Sequence, residues 1–170
     1  VVVSNVPGGG GVNGTNLIAS QKPDGRTLGL GVSTSMIGVQ LFSPSATYNP
    51  TEDFEWLAIL GAYPNALVVS AKRPERTLDE LLATARTTAT PLHYASYGIG
   101  TAGHLAGSYM RLEQRANLDH HVIDRPEDGY AMLASGQLDF IFDGVPNAAE
   151  TAPRGGHRIV AVTSAARIPS

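Results

Sequence analysis

Residues 92–114 pass from a short strand-like segment through Ser96-Tyr97-Gly98-Ile99-Gly100-Thr101-Ala102-Gly103-His104 into a helix-like one. A chain that changes its apolar period across a glycine-bearing turn is directed towards an α/β arrangement. Glycines at 98 and 100 permit a sharp turn and close approach of the backbone to a ligand. The first amides of the following helix lack intrahelical partners and stand at the positive end of its dipole. These features describe an anion cradle suited to a carboxylate or phosphate. Ser96 and Thr101 either add hydroxyl donors to that cradle or cap the helix.

The same alternation recurs along the chain. Residues 1–4, 27–32, 56–60, 66–71, 92–95, 119–123, 138–142 and 158–163 read as strands, with helix-like intervals between them. Thr77-Leu78-Asp79-Glu80 is a capping box, and Leu78, Leu81, Leu82 and Ala85 fall on one face of the helix it opens. Pro126 suits a first helical position, Tyr130, Leu133 and Ala134 make the expected buried stripe, and Gly136 stops the helix. The pattern predicts a largely parallel sheet, with ligands beyond the carboxyl ends of its strands, where the 98–100 loop sits. A second glycine run, Pro7-Gly8-Gly9-Gly10-Gly11-Val12-Asn13-Gly14, precedes a helix-like segment at 15–21 and forms a second cradle. Two cradles predict two lobes. The loop-rich Tyr63-Pro64-Asn65 places the boundary near Asn65, giving residues 1–65 to a first lobe and 66–170 to a second.

Composition excludes several functions. A formal net charge of -3, with one tight basic cluster at Lys72-Arg73-Pro74-Glu75-Arg76 that lacks aromatic residues, argues against a nucleic-acid partner. Without cysteine there are no disulfides, thiolate metal sites or cysteine nucleophiles, and the compartment stays open. The opening Val1-Val2-Val3 has no feature of an export signal and decides nothing further. No G-x-S-x-G elbow accompanies Ser96 and His104, so no catalytic residue is expected. His120 and His121 are adjacent on a strand and point to opposite faces, while His93, His104 and His157 are scattered, so no metal site is expected either. Gly98-Ile99-Gly100-Thr101-Ala102-Gly103 also spells G-x-G-x-x-G, with Asp124 downstream, which keeps a Rossmann-like dinucleotide-binding oxidoreductase domain as the alternative. Against it, Leu92-His93-Tyr94-Ala95-Ser96 is short and polar for a buried central strand, and Asp124 reads as a helix cap.

An ordered set of segments carries a resemblance: residues 5–15, Pro23-Asp24-Gly25-Arg26-Thr27-Leu28, Asp53-Phe54, residues 96–105, Phe142-Asp143 and Ala161-Val162-Thr163-Ser164. Over nearly the whole chain the sequence resembles the Bug, or TctC-like, family of periplasmic solute-binding receptors of tripartite tricarboxylate transporters. The resemblance implies a two-lobed, Venus-flytrap fold that closes on a small carboxylate-bearing solute and needs no cofactor. The expected solute is a dicarboxylate, a tricarboxylate or an acidic amino acid, and the expected partners are membrane transporter subunits. Ser96, Gly98, Gly100 and Thr101, with Ile99 among them, match the family's second-lobe binding loop, and Asn13 and Gly14 belong to the first-lobe run. His104 also matches, and either touches the solute or packs against the fold. Asp143 either accepts from an ammonium or hydroxyl on the solute or caps the next helix. On this reading a valine at Gly100 excludes the ligand and leaves the fold largely intact.

Departures from the family pattern are informative. Its members usually carry a further strand and glycine-rich loop ahead of the position of Val1, and more chain after that of Ser170. Asp124-Arg125-Pro126-Glu127-Asp128-Gly129 stands where the family generally has proline-tyrosine-basic-glycine. The two-lobed fold is therefore expected to be incomplete here. Two or three charge-assisted hydrogen bonds at about 1.5–3 kcal/mol each must offset an association cost of about 4–15 kcal/mol, so this piece alone is expected to bind with a Kd on the order of millimolar or weaker.

Overall fold

The computed structural model describes residues 1–62 and 64–168. Of the expected linker, Tyr63 lies outside them. The chain forms two compact units: Val1–Leu60 together with Gly98–Thr101, and the remaining described residues.

In the first unit the run Gly9–Gly11 makes one tight turn and leads into α1 (Val12–Ala19). A wide helical turn at Thr34–Gly38 continues into the short α2 (Val39–Phe42). Val12, Val39 and Tyr48 form a small core, with Phe54 edge-on to Tyr48 at 6.0 Å between ring centroids. The Tyr48 hydroxyl donates to the Ser35 carbonyl. Residues 1–4, 27–32 and 56–60, expected as strands, are not strands. Their apolar side chains, among them Val1, Leu28, Leu30, Trp56 and Ile59, are exposed. Their β-propensity is real, but a strand exists only with a ladder partner, and none pairs with them among the described residues.

The second unit is an α/β sandwich. In chain order its elements are β1 (Asn65–Ser70), α3 (Leu78–Thr87), β2 (Leu92–Ser96), α4 (Ala102–Leu112), β3 (Leu118–Val122), α5 (Pro126–Ser135), β4 (Phe140–Gly144), α6 (Val145–Thr151) and β5 (His157–Val162). The sheet order is β3-β2-β4-β1-β5. Pairs β2–β3 and β2–β4 are parallel, whereas β1 runs antiparallel to both β4 and β5. The sheet is therefore mixed, because one strand of the five is inverted. That inversion also departs from the parallel order of a dinucleotide-binding sheet.

Alternation along β1 sends Leu67 and Val69 to one face and Ala66 and Val68 to the other. The first face packs against Leu81, Leu82 and Ala85 of α3 and Met110 of α4. The second packs against Leu133 of α5 and Ala148 of α6. α3 starts where its sequence predicts: the Thr77 hydroxyl accepts from the Glu80 amide at 3.2 Å, while the Glu80 carboxylate accepts at 2.6 Å from the Arg76 amide, one residue ahead of the amide that a capping box uses. In α5 the buried positions are Gly129 and Leu133, and Ala134, expected in the stripe, is exposed. The residue preceding α5 is Arg125, paired with Asp128, so Asp124 does not cap it. Much of the basic cluster's charge is met locally: Arg73 grips the buried Glu75 in a bidentate pair at 2.9 and 2.6 Å and reaches Asp139 at 3.1 Å.

This topology marks one place on the sheet edge. β2 leaves towards α4 on one face and its neighbour β4 leaves towards α6 on the other. Where adjacent parallel strands send their connections to opposite faces, a crevice opens at their carboxyl ends. Ser96 and Asp143 lie at those two ends.

Candidate functional site

The glycine loop begins where β2 ends. Gly98 and Gly100 hold φ of 124° and 85°, in the region open to glycine and strained for other residues. Inside the loop, the Thr101 hydroxyl donates to the Gly98 carbonyl at 2.7 Å and its amide does so at 3.3 Å, which closes the turn just before α4. Ile99 is exposed at the tip. The two glycines meet opposite surroundings. A Cβ placed on Gly98 would have nothing within 4 Å, so this side of the loop is open. A Cβ on Gly100 would lie 2.7 Å from the Val39 Cα and 2.9 Å from the Gly38 carbonyl oxygen. Gly100 is thus required by its own chain, and the expectation that a valine there spares the fold is corrected: it would strike backbone, which cannot step aside.

Within the first unit the 98–101 loop meets the second glycine run. A Cβ at Gly10 would stand 3.5 Å from the Thr101 methyl and 3.1 Å from Val39. The two cradles expected to mark two lobes therefore share one compact unit. Asn13, exposed on α1, donates from its side-chain amide to the Pro7 carbonyl at 3.1 Å, holding the run in shape. Gly14 packs close to the Val6 carbonyl, at 3.3 Å from where its Cβ would be.

In the second unit, buried polar side chains hold the root of the loop. Asp143 is 1% exposed. Its carboxylate accepts from the Tyr97 hydroxyl at 2.9 Å, the Tyr130 hydroxyl at 2.8 Å and the Gly144 amide at 2.7 Å. Burial above all, and then the adjoining carboxylate, push the Tyr97 phenol well above its usual range, so it stays a donor. Burial and Asp143 act on Tyr130 in the same direction. Asp143 therefore ties Tyr97, the residue before Gly98, to the end of β4. It meets its partners within the fold.

Ser96 is completely buried, and its hydroxyl lies 2.8 Å from His120 Nε2. His104, on the first turns of α4, faces the same imidazole at 5.0 Å between ring centroids and has Ser108 at 3.5 Å. Burial, and secondarily Arg111, depress the pKa of His104; burial, then His104 and His121, depress that of His120. Burial does the same to His157. Unfolded imidazoles protonate near 6.5 and these three only at lower pH. Between those values the unfolded chain binds more protons, so their contribution is fully present above pH 6.5 and is lost as pH falls through the folded values. The melting temperature should therefore drop between pH 7.5 and 5.5, and His120→Gln should flatten the slope. A profile level over that range contradicts the assignment.

His93, His104 and His157 stand apart from one another as expected, but His121 and His120 each bring a second imidazole to one of them. β2–β3 pairing sets His93 beside Asp119 and Tyr94 beside His120, and the alternating faces bring His93 to His121 on one side and His104 to His120 on the other. Sequence spacing gave no sign of this, because the register of two parallel strands joined by a helix is a tertiary property. An apolar groove of about 440 Å³ lined by Leu67, Leu82, Tyr109, Met110 and Phe142 has no charged side chain in its wall and does not suit an anion. No helix among the described residues is long and apolar enough to cross a membrane.

Comparison with known proteins adds to this geometry. The sequence profile of the family described as "Tripartite tricarboxylate transporter family receptor" matches residues 1–170. A UPF0065 protein from the tcbD-tcbE intergenic region of a Pseudomonas strain is 31% identical over 169 residues, covering 99% of this chain and 50% of that protein. Protein BugT of Bordetella pertussis is 30% identical over 170 residues, covering 98% and 52%. Among solved structures, one described as a periplasmic transporter superposes with a TM-score of 0.87 at 26% identity, covering 98% of this chain and 56% of that one. An R. palustris protein solved with adipate gives a TM-score of 0.88 at 24% identity, covering 98% and 56%. The chain spans about half the length of the curated relatives it matches.

Proposed function

The chain belongs to the tripartite tricarboxylate transporter receptor family, and from that premise we propose that the protein it represents is a non-enzymatic periplasmic receptor that holds a small organic acid by a carboxylate and presents it to membrane transporter subunits. The observation that carries this reading is the Gly98 side of the glycine loop. There the backbone bends with positive φ, and nothing stands where a side chain would. A carboxylate needs close backbone approach and local positive potential, and a glycine turn opening a helix supplies both. Gly98 and Ile99 face the solute in this reading, Gly100 seats the loop on Gly38 and Val39, and Thr101 closes the turn. Within the second unit, Asp143 fixes Tyr97, and Ser96, His120 and His104 meet at the first turns of α4. Asn13 and Gly14 shape the neighbouring run.

Solved relatives support the solute class. One holds adipate, and MatC from Rhodopseudomonas palustris holds malate. Both are small dicarboxylates. Capture then works by closure of two lobes, in which a bound solute shifts an open-to-closed equilibrium without a covalent step.

Calorimetry on the whole-length receptor should give one saturable site for a four- to six-carbon dicarboxylate and none for the matching diamide, which keeps the shape and loses the charge. A thermal-shift series with NAD should show no stabilisation. Equal binding of acid and diamide, or a shift that grows with NAD alone, would overturn the reading.

A further inference from the structure

Strands β2 and β3 carry a second cluster whose chemistry the glycine loop does not use. His93 pairs with Asp119 across the parallel ladder, and His121, two residues further along β3, projects from the same face. His93 Nδ1 and His121 Nε2 are 3.0 Å apart, and each lies 3.2 Å from the same oxygen of Asp119, Oδ2. We propose that His93, Asp119 and His121 form a binding site for a divalent transition-metal cation of the zinc, nickel or cobalt type.

The triangle itself argues for a cation. Each of its corners has a lone pair to offer, yet a neutral imidazole nitrogen either donates or accepts. If His121 donates to His93, the His93 nitrogen is an acceptor turned towards a carboxylate oxygen. If both nitrogens donate to Asp119, two N–H groups confront each other across 3.0 Å. Every arrangement of neutral rings leaves one edge repulsive. A cation at the apex satisfies all three at once. Ligands about 2.1 Å from a metal stand about 3.0 Å apart when cis in an octahedron and about 3.4 Å in a tetrahedron, and the observed edges of 3.0, 3.2 and 3.2 Å fall within that span. Two imidazoles and one carboxylate suit borderline metals, while magnesium and calcium prefer all-oxygen sets.

The ligands are also held and reachable. The His93 amide donates to Asp139 Oδ2 at 2.7 Å, and the Asp139 amide donates back to the His93 carbonyl at 2.8 Å. Asp139 is in turn fixed by Arg73 at 3.1 Å. The side chains of His93, His121 and Asp119 are 41%, 39% and 54% exposed, so water can fill the remaining coordination positions.

Titration of the full chain with Co²⁺, followed by its visible d–d absorption, and with Zn²⁺, followed by calorimetry, tests the site. One equivalent should bind, and Zn²⁺ should displace the cobalt spectrum. His121→Ala should weaken binding at least 30-fold and Asp119→Asn about tenfold; both changes are on the exposed edge strand, and circular dichroism melts would verify that the variants fold. The variant His157→Gln, which alters the histidine at the start of β5 and outside both sites, should bind as the unchanged chain does. Failure of either ion to bind at 1 mM, or binding that survives His121→Ala and Asp119→Asn, overturns the proposal. Neither outcome bears on the carboxylate site, whose residues are untouched.

Discussion

Gly107→Val should destabilise the second unit by about 3 kcal/mol, at the upper end of what overpacking a core usually costs. A Cβ at Gly107 would lie 2.2 Å from the Tyr94 ring and 2.4 Å from its hydroxyl. The ring cannot swing away cheaply. It stacks on Phe140 at 5.3 Å with an interplanar angle of 9°, meets Phe142 edge-on at 6.5 Å, and lies 4.8 Å from the His120 ring. Even alanine, which gains about 1 kcal/mol in helix propensity over glycine, should be a net loss. Tyr94→Leu alone is also destabilising, because it removes a well-packed aromatic. Combined with Gly107→Val, however, it restores room, and the double variant should lose less than the sum of the two by about 1–3 kcal/mol. Urea denaturation of the four proteins measures that coupling. Strict additivity would mean that α4 does not approach β2 as closely as the geometry requires.

Gly100→Val in the whole-length receptor should abolish dicarboxylate binding, lowering affinity at least 100-fold, and should also disturb the unit formed by Val1–Leu60 and Gly98–Thr101. Its side chain would meet the Val39 Cα at 2.7 Å and the Gly38 carbonyl, on a backbone already at φ 85°. Loss of binding there cannot separate a broken loop from a blocked site. Gly98→Ala can. Its methyl enters open space, so the structural cost is the strain of φ 124°, about 1–2 kcal/mol. If the carboxylate approaches where proposed, Gly98→Ala weakens binding at least tenfold with a modest change in melting temperature. A Gly98→Ala receptor that binds adipate as tightly as the unchanged protein would sink the assignment of the loop.

Sequence and structure agree best where the deciding physics is local. The capping box at Thr77, the proline start at Pro126 and the glycine stop at Gly136 each depend on neighbours within four residues, and each stands where expected. The five strands of the second unit appear within two residues of their predicted bounds, because each is a compact apolar run between turns. The first sixty residues show the opposite. Leu28, Leu30, Trp56 and Ile59 have strand character, but strand formation is settled by a partner that local composition does not specify.

The glycine loop was legible as a turn, yet its two glycines looked alike. Only the packing of Gly38 and Val39 under Gly100 separates the glycine the chain needs from the one a ligand can approach. The histidines show the same limit, since His93, Asp119 and His121 meet through register alone. Asp143 is legible as a residue at a strand end, but nothing local in the chain marks Tyr97 and Tyr130 as converging on it from different elements.

The inverted strand β1 has a further implication for how the molecule is made. Its partners, such as Gly144 for Asn65 and Val162 for Ala66, emerge from the ribosome long after it does. The middle of the sheet thus cannot zip up during early synthesis, and β1 must wait with both edges bare. Non-local closure of that kind is slow and invites association with other chains, so soluble yield should respond to chaperone supply more sharply than the modest length suggests.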